Sequence, residues 1–224
     1  PAAVLAAVAA TITTEGLGIL GTYGKFIGGY YVALLVLWAV LLGLGAMVIG
    51  PRVRALVSMI REPLLLAFST ASSEAAYPKT LEQLERFGVS PRIASFVLPL
   101  GYSFNLDGSM MYCTFATLFI AQAYGIDLSG GQLITLLLLL LVTSKAIAGV
   151  PRASLVVLAA TLPHFGIPDA GLLLVLAVDQ FLDMGRSATN VVGNSIASSV
   201  VAKWEGELSD PQSVAGPVEP AGVG

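Results

Sequence analysis

Charge is what this chain has least of. Only 11% of its 224 residues are Asp, Glu, Lys or Arg, against roughly 25% in an ordinary soluble domain. With 56% hydrophobic residues and a mean hydropathy of +0.85, that shortage excludes a single soluble core and points to a membrane protein. The run 26–51 carries no charge at all and exceeds the ~20 residues needed to cross the hydrocarbon layer as a helix. One cysteine, Cys113, excludes an internal disulfide framework and a thiolate metal cage. The net charge of −3, with no basic cluster to neutralise phosphates, argues against nucleic acid as a partner. There is neither a start methionine nor a signal peptide; Pro1 opens in mid-apolar stretch, so the chain is read as a fragment.

Apolar segments and polar punctuation give the organisation. Residues 1–50 read as the end of one transmembrane helix followed by one full transmembrane helix. From 51 to 208 the grammar changes. No segment between Pro51 and Arg92 is long enough to cross, yet Leu64 to Phe68 is strongly apolar and runs into the small, polar stretch Ser69 to Glu74. An apolar half-helix, a polar tip ending in Pro78 and an amphipathic return through Leu81, Leu84 and Phe87 describe a re-entrant hairpin, 51–90. A second hairpin, 128–166, repeats the pattern, with its tip over Ser144 to Pro151. Each precedes a long helix broken by charge, 91–124 with Asn105-Leu106-Asp107-Gly108 and 168–203 with Asp179 and Asp183. Pro78 and Pro151 are 73 residues apart, and Asp107 and Asp183 are 76 apart. Such an internal repeat of interrupted segments is the sequence pointer to a secondary transporter's binding site.

Orientation follows from Lys and Arg in short loops. Arg52, Arg54, Arg61, Lys79, Arg86, Arg92 and Lys203 fall on one side and only Lys25 on the other. The first hairpin should therefore enter from the cytoplasm and the second from outside, an inverted repeat. The expected fold class is an all-α membrane protein with transmembrane helices, two oppositely oriented re-entrant hairpins and two broken helices. Residues 209–224, rich in Pro, Gly and Val, are read as a disordered tail.

At 100° per residue, Asp179, Asp183, Arg186, Asn190 and Asn194 share an arc of about 80° on one helix. Ionisable groups inside a membrane are functional candidates by default. The bland alternative is a structural ion pair of Asp183 with Arg186, which leaves Asp179 and the two Asn unexplained. Asn105 and Asp107 share a face only if the backbone unwinds near Gly108, and unwound carbonyls with a carboxylate and an amide make hard oxygen ligands for a small cation. Ser72, Ser73 and Glu74 fit equally a helix cap and an anion-binding helix start. His164 reads as a surface residue and Cys113 as a small apolar filler. Lys145 and Arg152 flank the second tip, either snorkelling to water or attracting an anion.

Four motifs in this order, the tip Ser72-Ser-Glu-Ala-Ala-Tyr-Pro78, Asn105-Leu-Asp-Gly108, Ala148-Gly-Val-Pro151 and Asp183-Met-Gly-Arg-Ser-Ala-Thr-Asn190, resemble the dicarboxylate/amino acid:cation symporter family. The match runs to about Leu208. The resemblance implies an elevator-type transport domain from a homotrimer in the cell's inner membrane, and no catalysis and no cofactor. It implies that Arg186 grips the distal carboxylate of the substrate with Ser109 nearby, and that Asp183 takes an amino group helped by Ser187. Asn190, Ser72 and Ser73 would hold the other carboxylate, under a lid around Gly149 and Val150. For coupling cations, Na+ or H+ or both, it implies Asn105 with Asp107; Gly101, Asn105, Asn190 and Asn194; and Ser103 with carbonyls near Ser144.

Two departures pull apart. Position 194 is Asn where sodium-coupled members carry Asp, as in the proton-coupled C4-dicarboxylate branch, yet Asp183 is retained where that branch lacks the acid. Glu74 and Asp179 are the candidate proton carriers, Asp179 because it lies one helical turn from a second carboxylate. An intramembrane aspartyl protease would also bury Asp residues, but its Y-D and G-x-G-D motifs are absent. The expected function is cation-coupled import of aspartate, glutamate or C4-dicarboxylates, with strictly proton-coupled succinate, fumarate or malate uptake as the alternative.

Overall fold

The computed structural model describes residue 13 and residues 18–143 and 153–211. Those residues are mostly helical and contain no β-strand beyond one isolated bridge. α1, Gly18–Ile49, is 32 residues long, about 48 Å at 1.5 Å per residue and more than the bilayer's hydrocarbon layer. Nothing inside it breaks a helix. It ends at Gly50, whose φ of +64° leaves the helical region, and at Pro51, which cannot continue the ladder. One face of α1 is packed, while Val32, Leu35, Val36, Val40, Leu44 and Met47 on the other are exposed. That lipid-like solvation is repeated on α6, Gly130–Thr143, by Ile134, Leu137, Leu138 and Val142.

α2, Val53–Thr70, and α3, Ser73–Phe87, form a helical hairpin. Its turn is two residues long. Ala71 is left-handed at φ 50°, and Ser72 is extended, its hydroxyl accepting from the Ala75 amide at 3.2 Å as the cap of α3. Glu74 sits in that first helical turn, on the electropositive side of the dipole. α4, Pro91–Phe104, starts with Ser90 as cap and Pro91 at the first position, the place where a missing N–H is harmless. After a break at Asn105 and Leu106, α5 runs over Asp107–Ala123. α7, Ala153–Thr161, and the short α8, Leu172–Leu176, precede α9, Asp179–Trp204.

α9 is the axis of the molecule, touching α1 to α5. Residues 186–196 are buried without exception. Gly185, Ala188, Gly193, Ser195, Ser198 and Ser199 keep it slim enough for close helix approach, the usual solution where lipid gives no hydrophobic drive for helix association. Apolar packing falls into one cluster built on α1, α5, α6 and α7, a second on α2, α3, α4 and the far part of α9, and a small one of Ala67, Ala76 and Val191. The break within 168–203 falls at Ala177 and Val178, just before Asp179, and Asp183 and Arg186 sit in continuous helix.

Beyond α9 the chain is held. Val89 and Leu208 form an antiparallel bridge, the Ser209 amide donates to Gly88 O at 2.9 Å, and the Ser90 amide donates to Glu207 O at 3.2 Å. Arg92 and the Ser90 hydroxyl both donate to the Glu207 carboxylate, and Arg52 pairs with Asp210. Ser209 and Asp210, the first residues of the stretch read from composition as a tail, make these contacts with residues far back in the chain, which do not register in local composition. The Arg92 guanidinium and then the Ser90 hydroxyl hold Glu207 below the usual carboxylate range. A depressed carboxyl stabilises the fold above its unfolded value and loses that contribution as pH falls through the folded one. The clasp should thus be intact at neutral pH and open only in acid. Glu207→Gln should reproduce the acid state at pH 7, with faster hydrogen exchange at the Ser90 and Ser209 amides. Unchanged protection at both would show that the backbone bridge alone carries the clasp.

Candidate functional site

The site is built where α9 passes the break between α4 and α5. The stripe expected from helical spacing faces inward as one surface, and Asp179, Arg186, Asn190 and Asn194 each meet a partner from the segment 105–112. Arg186, 5% exposed, donates through Nε to Asp183 Oδ1 and through Nη1 to Ser109 Oγ at 3.3 Å. Asn190 Nδ2 reaches the same hydroxyl at 3.4 Å, and its Oδ1 accepts from the Gly108 amide at 3.0 Å. Asp179 Oδ1 accepts from the Tyr112 hydroxyl at 2.5 Å. Asp179 and Asp183 thus each have a donor of their own.

The crossing is tight enough to dictate glycine. A Cβ on Gly108 would run into the Arg186 carbonyl, and one on Gly193 into the Asp107 carboxylate. Both glycines let the first turn of α5 lie directly on α9, which is what brings Ser109 to Arg186 and Asn190.

On the other side of the break, Asn105 Nδ2 donates to Asn194 Oδ1 at 3.1 Å; turned over, the same amide nitrogen donates to both oxygens of Asp107 at 3.2 Å each. The Gly101 backbone lies against the Asn194 amide. One carboxylate and two amides therefore converge with neutral backbone around them. Carboxylate and amide oxygens are hard donors, of the kind that suits hard cations better than soft transition metals.

Ser73 and Ser187 are buried, and neither hydroxyl has a hydrogen-bond partner among the described residues. Native interiors seldom leave such groups unsatisfied, and both were expected from the sequence to face a bound solute. Ser72 caps α3 and also contacts Glu74 at 3.2 Å, at an exposed tip. Ser103 donates to Pro99 O at 3.4 Å within its own helix. Ser144, Lys145, Gly149, Val150 and Arg152 lie outside the described residues. His164 is exposed and Cys113 buried.

The residue that sequence reasoning missed is Tyr112. It lies three positions after Ser109, hence on the same face of α5, and that spacing was the available signal.

This architecture sets a slim polar helix across an unwound segment inside an otherwise apolar chain, with one helix among the described residues long and apolar enough to cross a membrane. The chain belongs to the sodium:dicarboxylate symporter family, whose model matches residues 1–204. It is 47% identical over 215 residues to the proton/glutamate-aspartate symporter of Escherichia coli, covering 96% of this chain and 49% of that protein. To the proton/sodium-glutamate symport protein of Bacillus subtilis it is 45% identical over 206 residues, 92% of this chain and 48% of the relative. To C4-dicarboxylate transport protein 2 of Polaromonas naphthalenivorans it is 44% identical over 209 residues, 93% and 47% respectively. The chain spans about half the length of the relatives it matches.

Proposed function

We propose that this chain forms most of the mobile transport domain of a secondary symporter that imports small acidic solutes in company with cations. The observation that carries the reading is the buried Arg186, held by Asp183 on its own helix and by Ser109 across the break. A guanidinium at that depth is costly unless it is paired, and its planar fork is the group of choice for a carboxylate. One distal carboxylate of the solute takes the outer edge of Arg186. The Ser73 hydroxyl, Asn190 and the capped start of α3 take the other carboxylate. Asp183 and Ser187 receive an ammonium when the solute is aspartate or glutamate.

Asn105, Asp107, Asn194 and the Gly101 carbonyl supply oxygens for a coupling cation, with Ser103 belonging to a further site. The hairpin α2–α3 and the segment 128–166 dip into the bilayer from opposite faces. In its full length the protein is a homotrimer of the inner membrane, with the domain sliding elevator-fashion against a fixed scaffold.

A second reading, proton-coupled uptake of C4-dicarboxylates, is favoured by one observation. Asn194 occupies the ion site as a neutral amide bonded to Asn105, so Asp107 is left as the one charged side chain of that set to attract a sodium ion. Protons then need a carrier, and Asp179, buried beneath Tyr112, is better placed than Glu74 at the exposed tip. The full-length protein should therefore take up labelled succinate or aspartate in response to an imposed pH gradient, with Asp179→Asn losing most of that response and Glu74→Gln retaining it. Uptake driven by sodium alone, indifferent to pH, would rule the proton reading out. A pH-driven signal surviving Asp179→Asn would leave the coupling and remove its carrier.

A further inference from the structure

α9 does not hold its own aim. It begins immediately after the break at Ala177 and Val178, so helix geometry alone does not fix its direction and rotation relative to α8. α1 crosses that break. On the near side, the Tyr23 hydroxyl donates to Leu174 O of α8 at 2.7 Å. On the far side, Tyr31 donates to Phe181 O at 2.7 Å and the fully buried Tyr30 to Leu182 O at 3.2 Å. About two turns further, the Trp38 indole donates to Thr189 Oγ1 at 2.8 Å, and that hydroxyl in turn donates to Gly185 O at 2.8 Å. A carbonyl oxygen has two lone pairs, so Phe181 and Leu182 accept these bonds in addition to those of their own helix.

The steric evidence agrees. A Cβ on Gly185 would come within 2.8 Å of Leu34 Cδ1 and 3.2 Å of the Tyr30 and Tyr31 rings, so side chains of α1 pack directly onto the α9 backbone at this point. Residues 181, 182, 185 and 189 share an arc of about 100°, centred roughly a third of a turn from the stripe of Asp183, Arg186 and Asn190. Gripping that arc fixes the rotation of α9, and with it the direction in which Asp183 and Arg186 point.

We propose that α1 is a splint across the broken helix, and that Tyr23, Tyr30, Tyr31 and Trp38 are positioning residues for the solute site, none of them touching the solute. The proposal rests on the transport reading above. It uses three backbone carbonyls and one hydroxyl as anchors, which makes it sensitive to loss of the tyrosine hydroxyls even when the rings remain. A small rotation of α9 misaims Arg186 and lowers affinity, while the amount of folded protein changes little.

The test is uptake by the full-length protein with Tyr30→Phe and Tyr31→Phe combined. The expected result is a rise of at least fivefold in the solute concentration for half-maximal uptake, with maximal rate and membrane abundance within twofold of the parent. Reduced abundance with unchanged affinity would mean that the tyrosines only stabilise the fold, and would overturn the proposal. Should the double variant fail to reach the membrane, Gly185→Ala reads the same property from the steric side: it should lose affinity, and Gly185→Ala with Leu34→Ala should regain it. No loss in the single variant, or loss that Leu34→Ala does not relieve, counts against the splint. If uptake is also indifferent to Arg186→Ala, the transport reading itself fails; uptake that depends on Arg186 but ignores the tyrosines sinks the splint alone.

Discussion

Arg186→Ala is expected to abolish uptake of every acidic solute the full-length protein carries. The guanidinium is 5% exposed and bonds Asp183 and Ser109, and no other Lys or Arg lies between Arg152 and Lys203. Truncating one partner of a buried charge pair costs about 2–5 kcal/mol, much of it from the charge left behind, and 3 kcal/mol alone is more than a hundredfold in affinity. Because the stranded Asp183 can itself disturb folding, Arg186→Lys is the sharper companion. It keeps the positive charge for Asp183 but lacks the planar fork, so abundance should be normal and affinity for dicarboxylates should drop by tenfold or more. Near-native affinity in Arg186→Ala would show that the carboxylate is bound elsewhere. The readout is the concentration dependence of labelled aspartate and succinate uptake, normalised to protein in the membrane.

Asp183→Asn should separate the two solute classes. The amide keeps an oxygen for Arg186 Nε where Ser would not reach, so the buried guanidinium keeps an acceptor, while the negative charge that an ammonium requires is gone. Aspartate uptake should fall by more than tenfold, since a buried ammonium without a counter-charge is strongly penalised. Succinate brings no ammonium and meets one repelling carboxylate fewer, so its uptake should hold or improve. Equal losses for both would assign Asp183 to orienting Arg186 and leave the amino group without a partner.

Much of this site was legible in the sequence because it is written in helical spacing. Five polar residues recurring every three or four positions in an apolar segment define one face, whatever the fold around them. Asn105 and Asp107, two apart, are incompatible with a shared face on intact helix, and the backbone does break at Asn105 and Leu106. What was not legible depends on tertiary partners. The break before α9 falls on Ala177 and Val178, apolar residues that give no punctuation. Tyr30 and Tyr31 sit in an uncharged apolar run, and the hydroxyls of Tyr23, Tyr30 and Tyr31 bond backbone carbonyls, which any sequence provides. The clasp of Glu207 and Ser209 depends on Gly88 to Arg92, far away in the chain. That Asp179 and Asp183 also meet the donors Tyr112 and Arg186 follows from side-chain placement that spacing alone does not give.

Coupled, concentrative movement of an acidic solute through the Arg186 site is the central claim, and purified full-length protein in sealed liposomes tests it most directly. Labelled aspartate and succinate would be offered outside, under an inward proton gradient, an inward sodium gradient, both, or neither. Accumulation of at least one solute above its external concentration only while a cation gradient stands, collapsing when an ionophore dissipates it, is the result expected. Equilibration of both solutes to the same level with and without gradients would contradict the account.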